Sequence, residues 1–483
     1  MDLASSFYFT RPEIILSAAG LILLIIAAWR EDSGRALSIA AVAALVAAGS
    51  WAAHLIYSPS FELGGDAFSG LYRMDIFGSF AKILIYVAAA ISLIIAPRFL
   101  KNMDAMRAEY PVLILFAVVG MGIMVSANDL ITLYIGLELN SLSAYVLASF
   151  ARSDRRSVEA GLKYFILGAL ASGILLFGMS LVYGFTGTTG FDAIGKALSG
   201  DMGMGALFGV VFMLSGLAFK ISAAPFHMWT PDVYEGAPTP VTAFFASAPK
   251  VAATALLIRV TITAFGDQTF VWQQIIMVVA IMSIIIGAVG AIGQTNLKRL
   301  LAYSSINNVG FILIGLAAGT KEGIAAMLVY LAIYVAMTLG GFICLMQLRN
   351  RDGSLREEMR DIAGLSVTRP ILAASLAIFM FSLAGIPPLF GFWGKLVVFN
   401  AAVAAGLFPL AVIGVVGSVI GAFYYLKVVK VMYFDEADDI IVAEEAPSLI
   451  WTGGILAALV SPLGYLLISP LGTITDKAAK ALF

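Results

Sequence analysis

Long apolar segments, separated by short polar connections, recur along nearly the whole 483-residue chain. Each segment has about 20 residues, the length that an α-helix needs to cross the hydrocarbon core of a bilayer. Because helices satisfy their own backbone within lipid, the pattern predicts an all-α polytopic membrane protein with about fourteen spans. The predicted spans cover residues 13–29, 36–57, 76–96, 111–127, 129–150, 160–185, 206–230, 240–265, 272–292, 298–318, 324–348, 370–400, 406–433 and 448–470.

The order of the spans predicts four parts. Residues 1–110 form an N-terminal three-helix segment, 111–265 and 272–433 form five-helix units, and 434–483 contain an acidic loop and a final transmembrane helix. In both units the fourth span is long, carries a lysine and is interrupted by proline. Since five is an odd number, the second unit enters the membrane from the opposite side. The two units are therefore predicted to be inverted repeats, a design common in transporters.

Lysine and arginine are divided unevenly between the two sides of the predicted membrane, roughly 17 against 7. The positive-inside rule places the richer side in the cytoplasm and both termini in the periplasm, which predicts a multi-pass protein of the bacterial inner membrane. The minority side in this count includes Arg73 and Arg259. The longest polar stretches, 349–369 and 434–447, are predicted to be surface loops.

Composition excludes several classes of protein. The chain is 61% hydrophobic and 12% charged, whereas a soluble domain carries about 25% charged residues. A net charge of −1 offers no electrostatic footprint for nucleic acid. The single cysteine, Cys344, excludes an internal disulfide and a four-cysteine zinc or iron–sulfur site. We therefore expect no cofactor and no metal in this chain, and lipids among its neighbours.

Four charged residues lie near the middle of apolar segments: Glu138, Lys220, Lys250 and Lys395. A charge at that depth costs roughly 2.5–3.5 kcal/mol, and such residues usually line ion or proton routes. A lone carboxylate there either takes up a proton or finds a cation, so we expect Glu138 to form an ion pair with a lysine. The pattern predicts proton transfer, with a static buried pair and snorkelling lysines as the alternative interpretations.

Prolines beside two of these lysines predict broken helices. In the segment GLAFKISAAPFHMWTPDVYEGAPTP, Pro225 follows Lys220, and in FSLAGIPPLFGFWGKL a pair of prolines precedes Lys395. Proline removes a backbone donor and clashes with the preceding turn, so each helix kinks or opens there. The freed carbonyls then need protein or water partners. His227 is interpreted equally well as a structural residue and as a proton relay, and TPDVYEGAPTP is expected to be a loop with Asp232 and Glu235 at the surface.

These segments, together with IGLELNSLSAYVL and NLKRLLAYSSINNVGFILIGLAAGT, resemble the antiporter-like membrane subunits of respiratory complex I over nearly the whole chain. The resemblance assigns Glu138 to the helix-5 glutamate and Lys220 to the broken helix-7 lysine. It assigns Lys250 to the helix-8 connecting residue and Lys395 to the helix-12 terminal site. The L and M types of this family typically carry histidine at the helix-8 position, and the M type has glutamate at helix 12. The two lysines therefore favour the bacterial N type, as does the short stretch after the last span.

The resemblance implies a non-redox, proton-translocating subunit of NADH–quinone oxidoreductase. NADH, FMN, iron–sulfur clusters and quinone are then implied in partner subunits, and other membrane-arm subunits, both antiporter-like and small, are the implied partners. Because burial disfavours a charged lysine and a carboxylate favours it, we expect protons to enter near Lys220, pass through water and Lys250, and leave or be relayed at Lys395. The main alternative is a subunit of a multi-subunit Na⁺/H⁺ antiporter, and a structural scaffold is the other.

Overall fold

The computed structural model describes residues 3–30, 33–58, 64–200, 202–349, 355–436, 442–443 and 446–483. Helices account for nearly all of the regular structure in these ranges. They are α1 (Leu3–Phe9), α2 (Arg11–Trp29), α3 (Gly34–Tyr57), α4 (Ile76–Asn102), α5 (Glu109–Ser126), α6 (Leu130–Ala148), α7 (Arg155–Thr186), α8 (Phe191–Ala197), α9 (Met204–Lys220), α10 (Trp229–Gly236), α11 (Thr239–Phe245), α12 (Ala248–Arg259), α13 (Thr269–Ile292), α14 (Leu297–Ala317), α15 (Lys321–Leu345), α16 (Leu365–Thr368), α17 (Pro370–Ala384), α18 (Phe390–Ala404), α19 (Phe408–Phe434), α20 (Pro447–Val460) and α21 (Ile468–Lys480).

Strands contribute two short antiparallel pairs to the described structure. Strands β1 (Gly65–Ala67) and β2 (Tyr72–Met74) form a hairpin just before α4. Strand β3 (Leu348–Arg349) pairs with β4 (Val442–Ala443) and joins the two long polar stretches. Neither pair crosses the apolar region, so the all-α polytopic class predicted from the sequence is confirmed.

Eleven helical segments in the described residues are long and apolar enough to cross a membrane, and a twelfth is obtained if the pair Pro447–Val460 and Pro462–Lys480, bent by 67°, is one span. The sequence predicted about fourteen spans by length. The difference arises because the predicted spans 206–230 and 370–400 are each divided into two shorter helices. These are α9 with α10, and α17 with α18.

Polar caps begin several of the long helices. Asp75 precedes α4 and accepts a hydrogen bond of 2.6 Å from the backbone N–H of Gly78. Asp129 does the same for α6, and Asn296 for α14. Such oxygen acceptors satisfy backbone donors that the first turn leaves free.

The centre of the molecule is formed by α11, α12, α14 and α15, whose residues are almost completely buried. In contrast, α2, α3, α7, α13 and α19 bury one side only and expose large apolar side chains on the other. Within a membrane, helix packing depends on close contact between small residues. In α5 and α6, Gly120 and Gly136 provide such contact, since a Cβ at Gly120 would lie 2.6 Å from the Gly136 carbonyl oxygen.

One prediction about a polar segment was wrong. The run containing Asp232 and Glu235 is helix α10 and not a loop, because its proline, Pro231, lies in the first turn where a missing N–H is tolerated. Arg259, which lies within the predicted span 240–265, is completely buried at the end of α12 and pairs with Asp75. The loop 349–369 includes a short strand and α16, while its residues 350–354 lie outside the described residues, as do 437–441, 444 and 445 of the predicted loop 434–447.

Candidate functional site: a buried row of lysines

The first broken helix opens after Lys220, the last residue of α9, and α10 begins at Trp229. Two polar contacts fix the intervening chain. The N–H of Ala224 donates to Ser283 Oγ of α13 over 2.8 Å, and Trp229 Nε1 donates to the Phe219 carbonyl over 3.0 Å. The break is therefore a defined structure with some of its freed backbone groups satisfied by side chains.

Lys220 is buried, and its Nζ donates a 2.8 Å hydrogen bond to Ser141 Oγ of α6. Glu138 lies one turn before Ser141 on the same helix. No Glu138 oxygen comes within the 4.0 Å that defines an ion pair with any lysine of the described residues, so the expected direct ion pair is absent and a serine holds the lysine instead. One Glu138 oxygen, Oε1, is buried without a hydrogen-bond partner in the protein.

Lys250 lies in the first turn of α12 and is 2% exposed. Its Nζ donates over 3.0 Å to the carbonyl oxygen of Ile221, which is the first residue of the break. A carbonyl released by the end of α9 is thus occupied by a lysine from a different helix. Since Ile221 directly follows Lys220, the two lysines are neighbours in the fold although they are 30 positions apart in the sequence.

The second broken helix places Lys395 against its own opening. Helix α17 ends at Ala384 and α18 begins at Phe390. Lys395 Nζ donates to the Ala384 carbonyl over 3.0 Å and to Ser418 Oγ of α19 over 2.9 Å. Gly385 has φ +82°, and a Cβ there would lie 2.9 Å from Lys395 Cδ. A glycine is therefore needed both for the backbone conformation and for the passage of the lysine side chain.

His227 lies within the first break but apart from the lysines. Its ring is half-buried, and Nδ1 is buried without a hydrogen-bond partner. The residues on either side of the break's outer edge, Pro225 and Met228, are exposed. The structure thus brings Lys220 and Lys250 together at the break and leaves His227 towards its outward edge.

A row of polar residues that the sequence analysis did not single out lies between Lys250 and Lys395. Its members are hydroxyl and amide side chains of α14, α15 and α19, all of them buried: Ser304, Ser305, Asn308, Tyr330, Tyr334 and Tyr425. Short hydrogen bonds join them in two separate groups. One is Ser305 with Tyr334 at 2.7 Å; in the other, Ser304 and Tyr425 are 2.5 Å apart, Asn308 donates to Tyr425 over 3.1 Å and Tyr330 donates to Asn308 over 2.6 Å.

Aromatic rings lie beside the lysines on either side of this polar row. At one end the ring of Tyr234 lies 5.9 Å from Lys250 Nζ. At the other end Phe311, one turn after Asn308 on α14, places its ring 4.4 Å from Lys395 Nζ. The available signal in the sequence was the run SSINN at 304–308, since four polar residues within an apolar helix are rarely a simple packing solution.

Charged residues gather at one end of the molecule, where α7, α10 and α14 meet. Asp232 accepts hydrogen bonds from Lys163 at 2.8 Å and from Arg299 at 2.6 Å. Partial burial alone raises the pKa of Asp232, but these two cations outweigh burial and hold the pKa below its ordinary value. An open cavity of about 600 Å³ lies close by and is lined by Arg156, Glu235 and Glu357 among others. This end therefore presents partly exposed charged groups beside an open cavity.

No group of three or more potential metal ligands occurs in the part of the chain that the structure describes. The lysines have neutral oxygens as their direct partners, namely two serine hydroxyls and two backbone carbonyls. Neutral acceptors of this kind tolerate either form of the amine, because both NH₃⁺ and NH₂ can donate to them. The chemistry that the arrangement supports is proton transfer along a buried row.

Comparison with known proteins gives one family. Residues 127–421 match the family model described as NADH:quinone oxidoreductase/Mrp antiporter, TM. The NADH-quinone oxidoreductase subunit N of Erythrobacter litoralis is 62% identical over 100% of this chain and 99% of that protein.

Solved structures agree in fold. A chain of respiratory complex I from Thermus thermophilus superposes with a TM-score of 0.79 at 31% identity, covering 95% of this chain and 98% of that one. A chain of the Mrp complex from Dietzia sp. reaches a TM-score of 0.85 at 22% identity, covering 100% and 98%. At that lower identity the Mrp likeness is one of fold alone.

Proposed function

Because the chain belongs to the NADH:quinone oxidoreductase/Mrp antiporter transmembrane family, we propose that it is a proton-translocating membrane subunit of an NADH–quinone oxidoreductase. The similarity to subunit N proteins extends along the entire chain. The structural observation that supports proton transfer is a row of buried groups. It runs from Lys220 through Lys250 and the polar residues of α14 to Lys395. The row lies at mid-membrane depth, where a charged side chain is energetically costly and usually marks an ion or proton pathway.

Proton transfer follows from how the lysines are held. A lysine paired with a buried carboxylate would leave an uncompensated charge on giving up its proton, unless the carboxylate itself took up a proton in the same step. Lys220, Lys250 and Lys395 instead contact neutral oxygens, so each can pass between ammonium and amine without leaving a partner charged. The proton enters near Lys220, reaches Lys250 beside the first break, and passes through the hydroxyl groups and bound water to Lys395.

Glu138 adjusts the first lysine from a short distance. Its carboxylate lies on α6 one turn from Ser141, the acceptor of Lys220. When Glu138 is charged it favours the charged lysine, and when it is protonated or withdrawn the lysine releases its proton more readily. His227, at the outward edge of the break, is a secondary candidate for exchange with a neighbouring subunit.

The exposed face of α6 supports a partner at Glu138. Ile131, Ile135, Leu142 and Val146 are about half exposed or more and share one face of the helix with Glu138. A carboxylate in the middle of an apolar stripe is costly if the stripe faces lipid. We therefore assign this face to another membrane-arm subunit of the assembly, with lipid covering the apolar faces of the other peripheral helices.

The membrane arrangement completes the proposal. If each broken pair, α9 with α10 and α17 with α18, is one crossing, then the eleven long segments, the bent terminal pair and these two give fourteen spans. The units 111–265 and 272–433 are inverted repeats in this arrangement. In support, the first two helices of each unit meet at glycine: a Cβ at Gly120 would lie 2.5 Å from the Asn140 nitrogen, and one at Gly287 would lie 2.5 Å from the Asn307 nitrogen.

Orientation follows from the charges at the two ends. The end that holds Asp232, Arg299 and Glu357 is the cytoplasmic one, because it is rich in lysine and arginine. Both termini are then periplasmic, in the inner membrane of a bacterium. The driving energy comes from NADH oxidation by FMN and iron–sulfur clusters and from quinone reduction, all in partner subunits.

A matched pair of variants tests the proposal. Lys250→Met removes the titratable group while keeping a long apolar side chain, and Lys427→Met removes a lysine of α19 that is held by a 3.4 Å hydrogen bond to the Ile292 carbonyl. In membrane vesicles containing the whole assembly, NADH-driven proton uptake should be lost in Lys250→Met and kept in Lys427→Met. Normal uptake in Lys250→Met at normal subunit content would refute the proposed route.

The alternative, a subunit of a Na⁺/H⁺ antiporter assembly, shares the fold. The two candidates differ in what the purified assembly contains. Flavin and iron–sulfur clusters in an assembly isolated through this chain support the oxidoreductase, and their absence together with NADH-independent Na⁺/H⁺ exchange supports the antiporter.

A further inference from the structure

A second buried group of ionisable residues lies outside the lysine row, in the N-terminal helices. Glu13 of α2 and Lys82 of α4 form an ion pair with Oε1 and Nζ 2.6 Å apart, and Lys82 is completely buried. Tyr72 of β2 bridges them, since its hydroxyl donates to Glu13 Oε2 over 2.8 Å and accepts from Lys82 Nζ over 2.5 Å. We call these three residues the N-terminal triad.

Unpartnered polar atoms surround the triad. The side-chain oxygens of Ser79, Tyr86 and Ser126 are buried and have no hydrogen-bond partner in the protein. Tyr86 lies one turn after Lys82 on α4, and Ser126 lies at the end of α5 next to α4. Buried hydroxyl groups are normally satisfied, and where the protein offers no partner, ordered water does so. The triad is therefore lined by groups that hold water, which a purely static ion pair does not need.

A glycine leaves room for the triad's carboxylate. A Cβ at Gly122 of α5 would lie 2.5 Å from Glu13 Oε1, closer than such atoms approach. The two helices thus meet at a position where any side chain would displace the carboxylate. The absence of a side chain at Gly122 therefore leaves the space that the Glu13 carboxylate occupies between α2 and α5.

The triad lies just inside the non-cytoplasmic end of the proposed arrangement. Tyr72 is followed by Arg73, which forms ion pairs with Asp66 at 2.8 Å and Asp192 at 2.7 Å at the protein surface. On the inner side, Arg259 of α12 pairs with Asp75, three residues after Tyr72. Lys250 is on the same helix as Arg259, nine residues or about 14 Å along its axis.

We propose that Glu13, Tyr72 and Lys82 form a proton-exchange site between the interior of this protein and its non-cytoplasmic surface. The proposal rests on the proton-translocating function argued above and extends it to residues outside the lysine row. Its ligand is the proton itself, carried by water held at Ser79, Tyr86 and Ser126.

The transfer step conserves charge and protons. A proton passes from the Lys82 ammonium to the Tyr72 oxygen as the Tyr72 hydroxyl proton passes to Glu13, which leaves an amine, a tyrosine hydroxyl and a carboxylic acid. No group carries a net charge after this step, so it needs no counter-ion in the low-dielectric interior. The amine then accepts a proton arriving through water from within, and the carboxylic acid gives its proton to water on the surface side, which restores the ion pair.

The neighbouring pair of Asp75 and Arg259 shows what a static arrangement looks like. Arg259 makes two parallel hydrogen bonds to the carboxylate, at 2.8 and 2.9 Å, and a third to the Val125 carbonyl at 3.0 Å. Arginine does not give up its proton in proteins. Lysine and tyrosine do exchange protons, and for this reason the triad and not the arginine pair is assigned to transfer.

The decisive variant neutralises the pair without changing its volume. Replacing both members of a buried ion pair by uncharged groups of similar shape is often neutral or stabilising. The double variant Glu13→Gln/Lys82→Met should therefore assemble normally. We expect NADH-driven proton uptake by membrane vesicles to fall by roughly 10²-fold, while the amount of assembled subunit stays unchanged. Wild-type uptake at normal assembly would overturn the proposal.

Further variants keep the test informative if the double variant fails to assemble. Tyr72→Phe keeps the ion pair and removes only the bridging hydroxyl; lost uptake supports the exchange site and normal uptake refutes it. Gly122→Ala should displace Glu13 and lower uptake, whereas Gly173→Ala, with nothing within 4 Å of the added Cβ, should not. Lys250→Met is measured in parallel. If Lys250→Met loses uptake and the triad variants do not, only the triad proposal is refuted. If Lys250→Met has normal uptake, the proposed proton route through the lysine row is refuted, and the triad proposal that rests on it is refuted as well.

Discussion

The two broken helices solve the same problem with different numbers of lysines. At the first break, Lys250 of a separate helix occupies the freed carbonyl of Ile221, while Lys220 of the broken helix itself reaches Ser141. At the second break, Lys395 alone binds both the freed Ala384 carbonyl and Ser418. One lysine therefore performs in the second unit what two lysines perform in the first.

The electrostatic surroundings of the two breaks also differ. Glu138 lies one turn from the acceptor of Lys220, whereas the hydrogen-bond partners of Lys395 are a carbonyl and a hydroxyl, with the Phe311 ring beside it. A carboxylate can change the proton affinity of a lysine when it moves or is protonated, and a neutral site cannot. The comparison teaches that the proton affinity of Lys220 can be adjusted by a nearby carboxylate, whereas Lys395 has only uncharged groups as its direct partners.

The largest expected effect is at the second break, where no other lysine shares the role. Lys395→Gln keeps a hydrogen-bond donor for Ala384 and Ser418 but cannot titrate, so NADH-driven proton uptake should fall by roughly 10²-fold or more. Lys395→Arg should also be impaired because arginine stays charged, and Lys395→Glu, which titrates, should retain more activity than Lys395→Gln. The measurement is proton uptake by proteoliposomes containing the whole assembly, normalised to subunit content. Wild-type uptake in Lys395→Gln would make Lys395 a structural group only.

At the first break, we expect Glu138 and Lys220 to act as one unit. Glu138→Gln and Lys220→Ala should each reduce coupled proton uptake strongly while the subunit still assembles. The double variant should be little worse than either single variant, because residues of one network are not additive. The same assay, arranged as a double-mutant cycle, gives the coupling. Additive losses would show that the carboxylate acts independently of the lysine, in spite of the single turn between Glu138 and Ser141.

Substitution of the serine that accepts a hydrogen bond from the lysine at each break, Ser141 and Ser418, compares the two breaks most directly. Ser141→Ala leaves Lys220 without its hydrogen-bond acceptor, whereas Ser418→Ala leaves Lys395 with the Ala384 carbonyl. A hydrogen bond to a charged group contributes about 1.5–3 kcal/mol. Ser141→Ala should therefore lower proton uptake several-fold and Ser418→Ala less. Ser375→Ala, which removes an exposed hydroxyl bonded within α17, is the control. Equal losses at 141 and 418 would contradict the contrast drawn between the breaks.

The smallest effect concerns how α10, the second half of the first broken helix, is held in place. The pKa of Asp232 in α10 is lowered by Lys163 and Arg299 against the opposing effect of burial. A lowered pKa contributes stability above the ordinary carboxyl range, and this contribution is lost as the pH falls through the lowered value. In detergent, the wild-type protein should lose slightly more thermal stability than Asp232→Asn between neutral and acid pH. Identical pH profiles would show that these ion pairs do not stabilise α10.

The positions of the breaks could be predicted because proline leaves a helix few options. Pro225, Pro387 and Pro388 marked both openings, and the mid-span charges marked the lysine row. The run SSINN was a signal for the polar row, but the sequence does not show which residues of other helices bond to it. Those partners come from α15 and α19, which the sequence does not place next to α14.

The N-terminal triad was missed for a related reason. Glu13 lies in the first turn of its helix, where a carboxylate is expected to interact with free backbone donors. Only the fold brings Lys82 and Tyr72 to it. The ion pair of Arg259 with Asp75 was missed for the same reason, because the two residues are 184 positions apart in the sequence.

The carbonyl of Ile221 would lack a backbone partner even in a continuous helix, because the residue four positions on is Pro225, which has no N–H. Lys250 occupies this oxygen from a separate helix. The hydrogen bond and the proton on Lys250 are thermodynamically linked, so a movement that separates α12 from the break changes the free energy of that proton by the amount with which the proton resists the movement. The proline thus works as a transducer, in which a mechanical displacement of one helix and an electrical change at another are two readings of a single free energy.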